Sequence, residues 1–401
     1  MHPAHVGTAA DLRPHARADR DAVRGDARDV RAPVPVDGWS PLWTGLARVG
    51  GLLPPPERPH EDPWALLRGR EHPSGLRRPD GRLVRAVGGD DRAEGPGFDR
   101  AVGPGGYAWW YVDAVANGGG FGLTIIGFVG SVFSPYYRRS GRRDPLDHST
   151  INVALYGPRA ARWTMTERGN SAVERSPETL AIGASSMRWA GERLIIDIDE
   201  RAVKLGSPFH PPVRGRVVVH PEMLVPSAFA LDPRGRHHWR GIAPRARIEV
   251  AMTDPGLNWR GTGYFDTNWG TEPLEDGFAD WQWSRAHCGR EAAVIYEGVR
   301  RDGSRFASAL RFDAAGTAQE EEMPPARSLP RTWWAMQRTT RSDGPAKVTR
   351  TWEDAPFYAR STLSSRLFGS DVEAVHESLS LDRLRSPVVQ WMLPYKMPRL
   401  G

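Results

Sequence analysis

One aspartate is a candidate acid because aromatic residues surround it in the sequence. Asp266 lies within residues 259–270, which also contain two tryptophans, a tyrosine and a phenylalanine. Aromatic walls exclude water from a carboxyl group, disfavour its ionised form and raise its pKa. Asp266 could therefore carry a proton near neutral pH and deliver it to an uncharged, apolar substrate. The alternative is a turn aspartate whose side chain accepts hydrogen bonds from nearby backbone amides, as is common in Asp-Thr-Asn sequences.

The residues near Asp266 suit a reaction that passes through a carbocation. Trp239 and Tyr264 could each face a cation, a contact worth up to ~2 kcal/mol when desolvated. Since ~1.4 kcal/mol changes a rate tenfold, such contacts help but cannot replace a proton donor. The adjacent His237 and His238 could orient a water molecule or accept its proton, or could be ordinary surface histidines. Neighbouring strand residues point to opposite faces, so at most one of them should enter a given pocket.

The sequence supports neither a metal site nor a nucleophilic serine or cysteine. His210, His220 and His287 lack partners at recognised metal-binding spacings. Cys288 is the only cysteine, which excludes an internal disulfide and fits a reducing cytoplasm. There is no Gly-x-Ser-x-Gly elbow, and the glycines at 118–120 precede a β-type segment and not a helix that could hold a phosphate. We therefore assign no metal and no nucleotide.

Two of the 16 tryptophans have a spacing that predicts a ligand surface. Trp281 and Trp283 are two residues apart, so they would share one face of a strand. A barrel lined in this way favours a long, flat, apolar ligand. Core packing accounts for most of the other tryptophans.

The composition indicates a globular chain with no nucleic-acid partner. Of the 401 residues, 39% are hydrophobic and 25% charged, which is typical of a soluble protein of one large domain or two ordinary ones. The formal net charge of +6 comes mainly from arginines dispersed along the chain, a pattern typical of a solvated surface. A cationic surface could also favour anionic lipid headgroups. No apolar run has the ~20 residues of a spanning helix, and no secretory signal is recognisable, so we expect a cytoplasmic location.

Short segments rich in β-branched and aromatic residues begin at residue 107 and predict an all-β fold. An Asp-Gly pair within residues 301–304 predicts a hairpin, because it supplies the positive φ of a tight turn. A second hairpin turn is predicted at 117–118. The clearest predicted strands are 107–115, 122–133, 151–156, 193–199, 216–220 and 247–252.

This number of strands predicts two β-barrel-like halves, whose division we place near Arg245. The predicted domains are a low-complexity extension at 1–95, disordered or loosely docked, then one barrel at 96–245 and another at 246–401. Residues 379–399 predict a short C-terminal helix from apolar residues at three- and four-residue steps, with Pro387 near its start. That helix could pack on a barrel or lie on a membrane surface.

Four motifs in order identify a known family. They are GGYAWWYVD at 105–113, FVGSVFSPYY at 128–137, GYFDTNWG at 263–270 and MLPYKMPR at 392–399. From about residue 97 onward, the chain resembles the carotenoid 1,2-hydratase family, also called hydroxyneurosporene synthase. The resemblance implies two lipocalin-like barrel halves, in agreement with the all-β prediction. The N-terminal extension lies outside the region that resembles this family.

The resemblance also implies a reaction and its site. The expected activity is cofactor-free addition of water to the C1,C2 double bond of an acyclic carotenoid, such as neurosporene or lycopene, in a phototrophic bacterium. The family's active-site region carries over to His237, Trp239, Tyr264 and Asp266. Protonation of C2 by neutral Asp266 would place the charge on tertiary C1, where the aromatic residues stabilise it and water adds. As further substrate-binding candidates we add His238, Phe265, Trp269, Trp281 and Trp283.

The size of such a substrate predicts docking at a membrane. A carotenoid is a rod comparable in length to the ~30 Å hydrocarbon core of a bilayer, whereas an eight-stranded barrel holds about one small ligand. We expect only the end group to enter, from a protein peripherally bound to the inner membrane. The alternatives are a non-catalytic carrier of carotenoids or terpenoids, and a related cyclase or isomerase. The sequence leaves the preferred carotenoid, the group that activates water and the oligomeric state undetermined.

Overall fold

The computed structural model describes residues 95–158, 160–203 and 209–400. The predicted extension at 1–95 lies outside this part, apart from its last residue. Within it the helices are short, and none is long and apolar enough to cross a membrane. They are α1 (Pro135–Arg139), α2 (Leu274–Gly277), α3 (Leu381–Arg385) and α4 (Pro387–Lys396), with single 3-10 turns at Leu146–His148 and Asn170–Ala172.

Strands make up most of the described chain, so the predicted all-β class is confirmed. In chain order they are β1 (Tyr107–Ala116), β2 (Gly122–Val129), β3 (Thr150–Tyr156), β4 (Arg162–Met165), β5 (Glu167–Arg168), β6 (Val173–Ser176), β7 (Thr179–Ile182), β8 (Ser185–Ala190), β9 (Arg193–Arg201), β10 (Pro212–Pro221), β11 (Phe229–Ala230), β12 (His237–Asp254), β13 (Leu257–Gly270), β14 (Phe278–Cys288), β15 (Glu291–Arg300), β16 (Arg305–Phe312), β17 (Ala318–Glu320), β18 (Ala326–Leu329), β19 (Arg338–Arg341), β20 (Lys347–Asp354), β21 (Tyr358–Leu367), β22 (Ser370–Ser380) and β23 (Arg399–Leu400).

The first sheet of the described residues has 12 strands and curls into a half-barrel. Its order is β4-β3-β2-β1-β13-β12-β10-β9-β8-β7-β6, with β11 added beside β12. Strand β9 alternates between two faces: Leu194, Ile196 and Ile198 are buried, whereas Asp197 and Asp199 form ion pairs with arginines of β10. One face of the strand thus supplies core and the other meets water.

The second sheet has seven strands in the order β17-β16-β15-β14-β22-β21-β20. Its neighbouring strands are antiparallel. Two smaller pairs accompany the sheets, the ribbon β18–β19 and the parallel pair β5–β23. The last of these joins the end of the described chain to the first half of the molecule.

Both predicted hairpins are confirmed. β15 and β16 pair through the turn at 301–304, in which Gly303 has φ +82°, and β1 and β2 pair around the turn after Ala116. Strand β2 is shorter than the predicted 122–133. It ends at Val129 because the next residue, Gly130, has φ +64° and turns the chain out of the extended conformation.

The position of the change between sheets differs from the predicted division near Arg245. Strand β12 runs through that residue, and the first sheet continues to Gly270, after which α2 leads into the second sheet at Phe278. The division into domains at 245 stays a prediction, but the hydrogen-bonded sheets change between 270 and 278. Period and composition could not locate this point, because β12 and β13 have the same alternating pattern as the strands that follow.

The predicted C-terminal helix is present, but it begins later and is broken. Strand β22 extends through Ser380, whose side chain caps α3, and Ser386 then separates α3 from α4. The Ser386 hydroxyl accepts a hydrogen bond from the backbone of Val389, and Pro387 occupies the first turn of α4, as predicted. Apolar periodicity alone did not show that two capping serines divide this segment.

The two sheets meet along one face of β1, β12 and β13, and their contact forms the largest apolar cluster. This cluster combines Trp109, Tyr111, Trp239 and Tyr264 of the first sheet with residues of the second sheet and of α4. The opposite face of the same strands packs inside the curled first sheet, around residues such as Phe265. Every candidate site residue on these strands therefore belongs to one of two separate interiors.

Candidate active site

The alternation of β13 aims Tyr264 and Asp266 at the space between the sheets. In the pairing of β13 with β1, Tyr111 lies directly opposite Asp266. In the pairing of β13 with β12, Trp239 lies opposite Asn268, the next residue on the same face. Three neighbouring strands thus bring an acid, two phenols and an indole to one point.

The Asp266 carboxyl group is buried, with 4% of the residue exposed. Its Oδ2 accepts hydrogen bonds from the Tyr264 hydroxyl at 2.7 Å and from Trp239 Nε1 at 2.9 Å. Its Oδ1 is buried with no hydrogen-bond partner among the described residues. The carboxyl is therefore oriented through one oxygen, while the other retains the capacity to hold a proton.

Burial raises the pKa of Asp266 from 3.8 to about 8. The hydrogen bonds from Tyr264 and Trp239 act in the opposite direction, because they favour the carboxylate, but they do not outweigh the loss of hydration. Negative charge on Glu377 and Asp113 raises the pKa further. The acid predicted from the sequence is thus protonated at neutral pH for the predicted reason, desolvation by its surroundings.

Aromatic rings surround this carboxyl group on the second-sheet side. The ring of Trp283 lies 5.0 Å from that of Tyr264 and 5.7 Å from that of Tyr111, centroid to centroid. Tyr296 lies 5.5 Å from Trp281 and 6.0 Å from Trp239. Trp281 and Trp283 share one face of β14, as their spacing predicts, and that face is turned toward Asp266 and its neighbours. These rings could stabilise a cation formed beside the acid.

His237 belongs to the same face but contacts other groups. It is fully buried, its Nδ1 is 2.9 Å from the Tyr107 hydroxyl, and its Nε2 is 3.0 Å from Oε1 of Glu272. A carboxylate only accepts, so Nε2 carries the hydrogen and Nδ1 accepts the Tyr107 hydroxyl. Burial lowers the pKa of His237, which keeps the imidazole neutral. The Tyr107 ring in turn stacks 5.0 Å from Trp109, so His237 supports the aromatic wall without touching Asp266.

The structure does not bring His238, Phe265 and Trp269 to the acid. All three lie on the opposite face of β12 and β13, as the alternation of strand residues requires. His238 stacks on Trp269 with centroids 5.1 Å apart, and Phe265 stacks on Trp189 inside the first sheet. Their role in substrate binding stays a prediction, and their positions are separate from the face that carries Asp266. The expectation that only one of His237 and His238 enters a given pocket agrees with this geometry.

A buried ion cluster beside Asp266 was not predicted. Asp113 of β1 is fully buried and pairs with Arg285 of β14 and Arg360 of β21, and Arg360 also pairs with Glu377 of β22 at 2.7 Å. The Tyr111 hydroxyl donates to Oε1 of Glu377 at 2.5 Å. Burial favours the neutral form of Asp113, but the two arginines outweigh it and lower its pKa. The sequence does contain one sign of this cluster, an aspartate at position 113 within the apolar segment 107–116. A buried carboxylate needs a charged or hydrogen-bonding partner.

A cavity opens next to this cluster. Its empty volume, including open solvent at the mouth, is about 840 Å³. Its inner end includes Trp109, Tyr111, Trp281 and Glu377, and most of its lining is apolar or aromatic. Asp266 itself is not part of the lining, but its cross-strand neighbour Tyr111 is. The acid thus lies next to a residue of the cavity wall.

The other side of the cavity carries a second carboxyl group. Glu353 of β20 accepts a hydrogen bond from the Tyr156 hydroxyl at 2.7 Å, and burial raises its pKa. Lys396 of α4 also lines the cavity, with its ammonium 4.3 Å from the centre of the Trp163 ring. Helix α4 therefore contributes part of the wall, together with Leu393.

The arrangement can transfer a proton from a neutral carboxyl group to an apolar molecule and stabilise the resulting cation. Asp266 is protonated near neutral pH, aromatic faces adjoin it, and the adjacent cavity has apolar walls. In the described part of the chain, no group of three or more His, Cys, Asp or Glu side chains is arranged to hold a metal ion. The chemistry that these residues can perform by themselves is acid–base chemistry.

Sequence comparisons agree with this chemistry. Residues 125–401 match the family described as carotenoid hydratase CrtC. The acyclic carotenoid 1,2-hydratase of Thiocapsa roseopersicina is 47% identical over 388 residues, covering 95% of each chain. That of Rubrivivax gelatinosus is 44% identical over 409 residues, covering 100% of both chains, so similarity extends through the N-terminal segment that the motif resemblance left out. Kievitone hydratase from Nectria haematococca gives a TM-score of 0.42 at 11% identity, over 73% of this chain and 96% of its own, which is too distant to support a conclusion.

The family assignment thus rests on a match over more than half of the chain and on full-length relatives. It confirms the resemblance recognised from the four motifs. The chain belongs to the carotenoid hydratase family.

Proposed function

We propose that this protein adds water to the C1,C2 double bond of an acyclic carotenoid, such as neurosporene or lycopene, with Asp266 as the acid. The observation that carries the proposal is the buried carboxyl group of Asp266, whose pKa of about 8 keeps it protonated beside apolar walls. The named relatives are acyclic carotenoid 1,2-hydratases, which supports this substrate class. A carotenoid offers no charged group to bind, so an apolar cavity with one proton donor suits it.

The chemistry begins at the Asp266 Oδ1 side. The proton passes to C2, the π electrons of the double bond form the new C–H bond, and positive charge develops on tertiary C1. The faces of Tyr264 and Trp283 stabilise this charge, and the oxygen of a water molecule then bonds to C1. Loss of a proton from that oxygen completes the tertiary alcohol. Trp239 and Tyr264 hold the carboxyl group through Oδ2 while Oδ1 donates.

The end group reaches the acid from the cavity. An entire carotenoid is comparable in length to a ~30 Å hydrocarbon core. Only the terminal unit enters, and the side chain of Trp109 shifts to let it approach Asp266. The rest of the polyene stays in lipid, so the protein works while bound peripherally to the cytoplasmic face of the inner membrane. Dependence of turnover on lipid vesicles tests this, and full activity in lipid-free buffer would contradict it.

His237 acts as a positioning residue. Its hydrogen bonds to Tyr107 and Glu272 fix the start of β12, two residues before Trp239, and support the stacked Tyr107–Trp109 pair. Gly277 makes room for it, since a Cβ there would lie 2.3 Å from Nε2. The reaction needs no metal or organic cofactor, because proton transfer, cation stabilisation and water addition all fall within the reach of these side chains.

Mass spectrometry in isotopically labelled water tests the function. Membranes that contain lycopene or neurosporene are incubated with the protein, and one labelled water per modified end is the expected product. A carrier of carotenoids would bind pigment without any change of mass, and a cyclase or isomerase would give a product of unchanged mass. Either result would overturn the proposed hydration.

A further inference from the structure

The hydration needs a second group, which takes a proton from the attacking water. We propose that Glu377 is this general base and that Tyr111 and Arg360 hold it in place. The inference rests on the proposed function, in which Asp266 is the acid. It concerns the activation of water, for which the sequence offered only His237 and His238 as candidates.

Glu377 has the access that a base requires. It lines the cavity, and its side chain is 13% exposed although the surrounding cluster is almost fully buried. The hydrogen bonds from Tyr111 and Arg360 both end at Oε1, at 2.5 Å and 2.7 Å. No described residue donates a hydrogen bond to Oε2. That oxygen is therefore available to a water molecule in the cavity.

The charged groups around Glu377 hold its side chain in one position. The cluster combines two carboxylates, Asp113 and Glu377, with two guanidinium groups, Arg285 and Arg360, so the charges balance. Arg360 is 1% exposed and bridges both acids, which fixes the position of Glu377. Asp266, by contrast, accepts hydrogen bonds only from the uncharged side chains of Tyr264 and Trp239. The two carboxyl groups thus have different partners, a guanidinium group at Glu377 and neutral donors at Asp266.

Glu377 is also close enough to Asp266 to work on the same substrate atom pair. Tyr111 is the cross-strand neighbour of Asp266 and donates its hydroxyl hydrogen to Glu377. Trp283 is the cross-strand neighbour of Glu377 and touches the ring of Tyr264, which donates to Asp266. The charge of Glu377 acts on the pKa of Asp266. Glu353, the other carboxyl group in the cavity wall, has no such connection and is held by Tyr156.

The step balances without another reactant. Asp266 loses its proton to C2, water forms the C1–O bond, and the oxygen releases one of its hydrogens as a proton to Oε2 of Glu377. The product has gained one water, Asp266 is ionised and Glu377 is protonated. After the product leaves, a proton moves through water from Glu377 to Asp266 and restores the starting state.

Hydration and hydrogen exchange, measured together in deuterated water, test the proposal. Glu377→Gln keeps an oxygen for Tyr111 and Arg360 but cannot accept a proton. We expect hydration to fall about 10²- to 10⁴-fold, the range of a general base. Asp266 still protonates C2, and the uncaptured cation returns a hydrogen, so deuterium accumulates in the recovered substrate. The ratio of exchange to hydration should therefore rise at least about 100-fold.

Matched variants separate this proposal from the proposed function. Glu373→Gln changes an exposed residue of the same strand and should leave both rates unchanged. Asp266→Asn should abolish both, and exchange that survives in it would refute Asp266 as the acid while leaving Glu377 to be judged from its own variants. Hydration by Glu377→Gln within twofold of the parent, or a larger loss in Glu353→Gln, would overturn the role of Glu377. If Glu377→Gln does not fold, Glu377→Asp retains the charge, and normal hydration by that shortened side chain gives the same negative answer.

Discussion

The Tyr264 hydroxyl donates a hydrogen bond to Oδ2 of Asp266 over 2.7 Å, from two residues earlier on the same strand. This bond favours the carboxylate, and yet the pKa of Asp266 is raised to about 8 because burial outweighs it. Tyr264 thus orients the carboxyl group of Asp266, and the carboxyl group still keeps its proton near neutral pH.

Asp266→Asn should remove the proton donor while preserving the shape of the site. The amide oxygen can still accept from Tyr264 and Trp239, so pigment binding should persist, whereas hydration should fall at least about 10³-fold. Product formation from lycopene and carotenoid binding are measured on the same preparations. Unchanged hydration would eliminate Asp266 as the acid, and loss of both properties would point to a folding defect.

The hydration rate should depend on pH through Asp266. Its protonated form is active, so kcat/KM should fall about tenfold per pH unit above pH 8. The free energy of unfolding should also decrease as the pH rises. The folded-state pKa lies above the unfolded value of 3.8, so the stabilisation from protonated Asp266 is complete below that value and is lost progressively up to about pH 8.

The comparison that isolates this effect uses Asp266→Asn, which cannot ionise. Relative to this variant, the parent should lose on the order of 5 kcal/mol of unfolding free energy between pH 4 and pH 8. Denaturant unfolding at several pH values provides the measurement. Parallel pH profiles of the two proteins would contradict the raised pKa.

Tyr264→Phe should shift the pH profile to higher pH. The hydroxyl favours the carboxylate form of Asp266, so its removal should raise the pKa of Asp266 further. The fall of kcat/KM at alkaline pH should therefore begin at a higher pH. The rate at neutral pH should fall roughly tenfold, because only Trp239 then orients the carboxyl group. Tyr136→Phe on α1, outside the cavity lining, is the control for removal of a phenol. A fall of kcat/KM that begins at a lower pH in the variant would show that Tyr264 acts on the acid in another way.

Asp113→Asn should destabilise the protein strongly. The change leaves Arg285 and Arg360 buried without their shared carboxylate, which typically costs about 3–5 kcal/mol of unfolding free energy. The matched control is Asp197→Asn, which breaks an exposed pair with Arg216 and should cost less than about 1 kcal/mol. Chemical denaturation of both variants decides the matter, and equal losses would mean that the buried cluster does not hold the sheets together.

Cofactor independence leads to a separate experiment. Because the proposed steps use only side chains and water, prolonged dialysis against a metal chelator should leave the hydration rate within about twofold of its initial value. The rate is compared before dialysis, after dialysis and after addition of divalent metal. A loss that metal restores would require a further participant in the reaction.

The sequence located the acid and part of its setting because these residues are close along one strand. Tyr264 and Asp266 share a face by strand alternation, and the family resemblance placed Trp239 in the same site. The same alternation puts Phe265 and Trp269 on the opposite face, since neighbours in sequence point to opposite sides of a strand. Which face of β12 and β13 meets the second sheet depends on the order of the strands. The hydrophobic pattern of the sequence does not give that order.

The ion cluster lay beyond sequence reasoning for a different reason. Asp113, Arg285, Arg360 and Glu377 come from four strands of two sheets, and their meeting depends on how β14 and β22 face β1. Arginines are numerous and dispersed, so none of them stood out. Only long-range pairing identifies which arginines are buried and which carboxylate remains open to the cavity.

Helix α4 is anchored in both directions along the chain. It follows β22 through α3, and β23 beyond it pairs in parallel with β5 of the other half, where Arg399 also forms an ion pair with Glu167. A swinging motion of the helix would have to separate these backbone hydrogen bonds. The part of the cavity wall that α4 supplies is consequently held in place by the backbone on both sides of the helix. Access of a substrate to the cavity therefore depends on side-chain conformation and not on movement of α4.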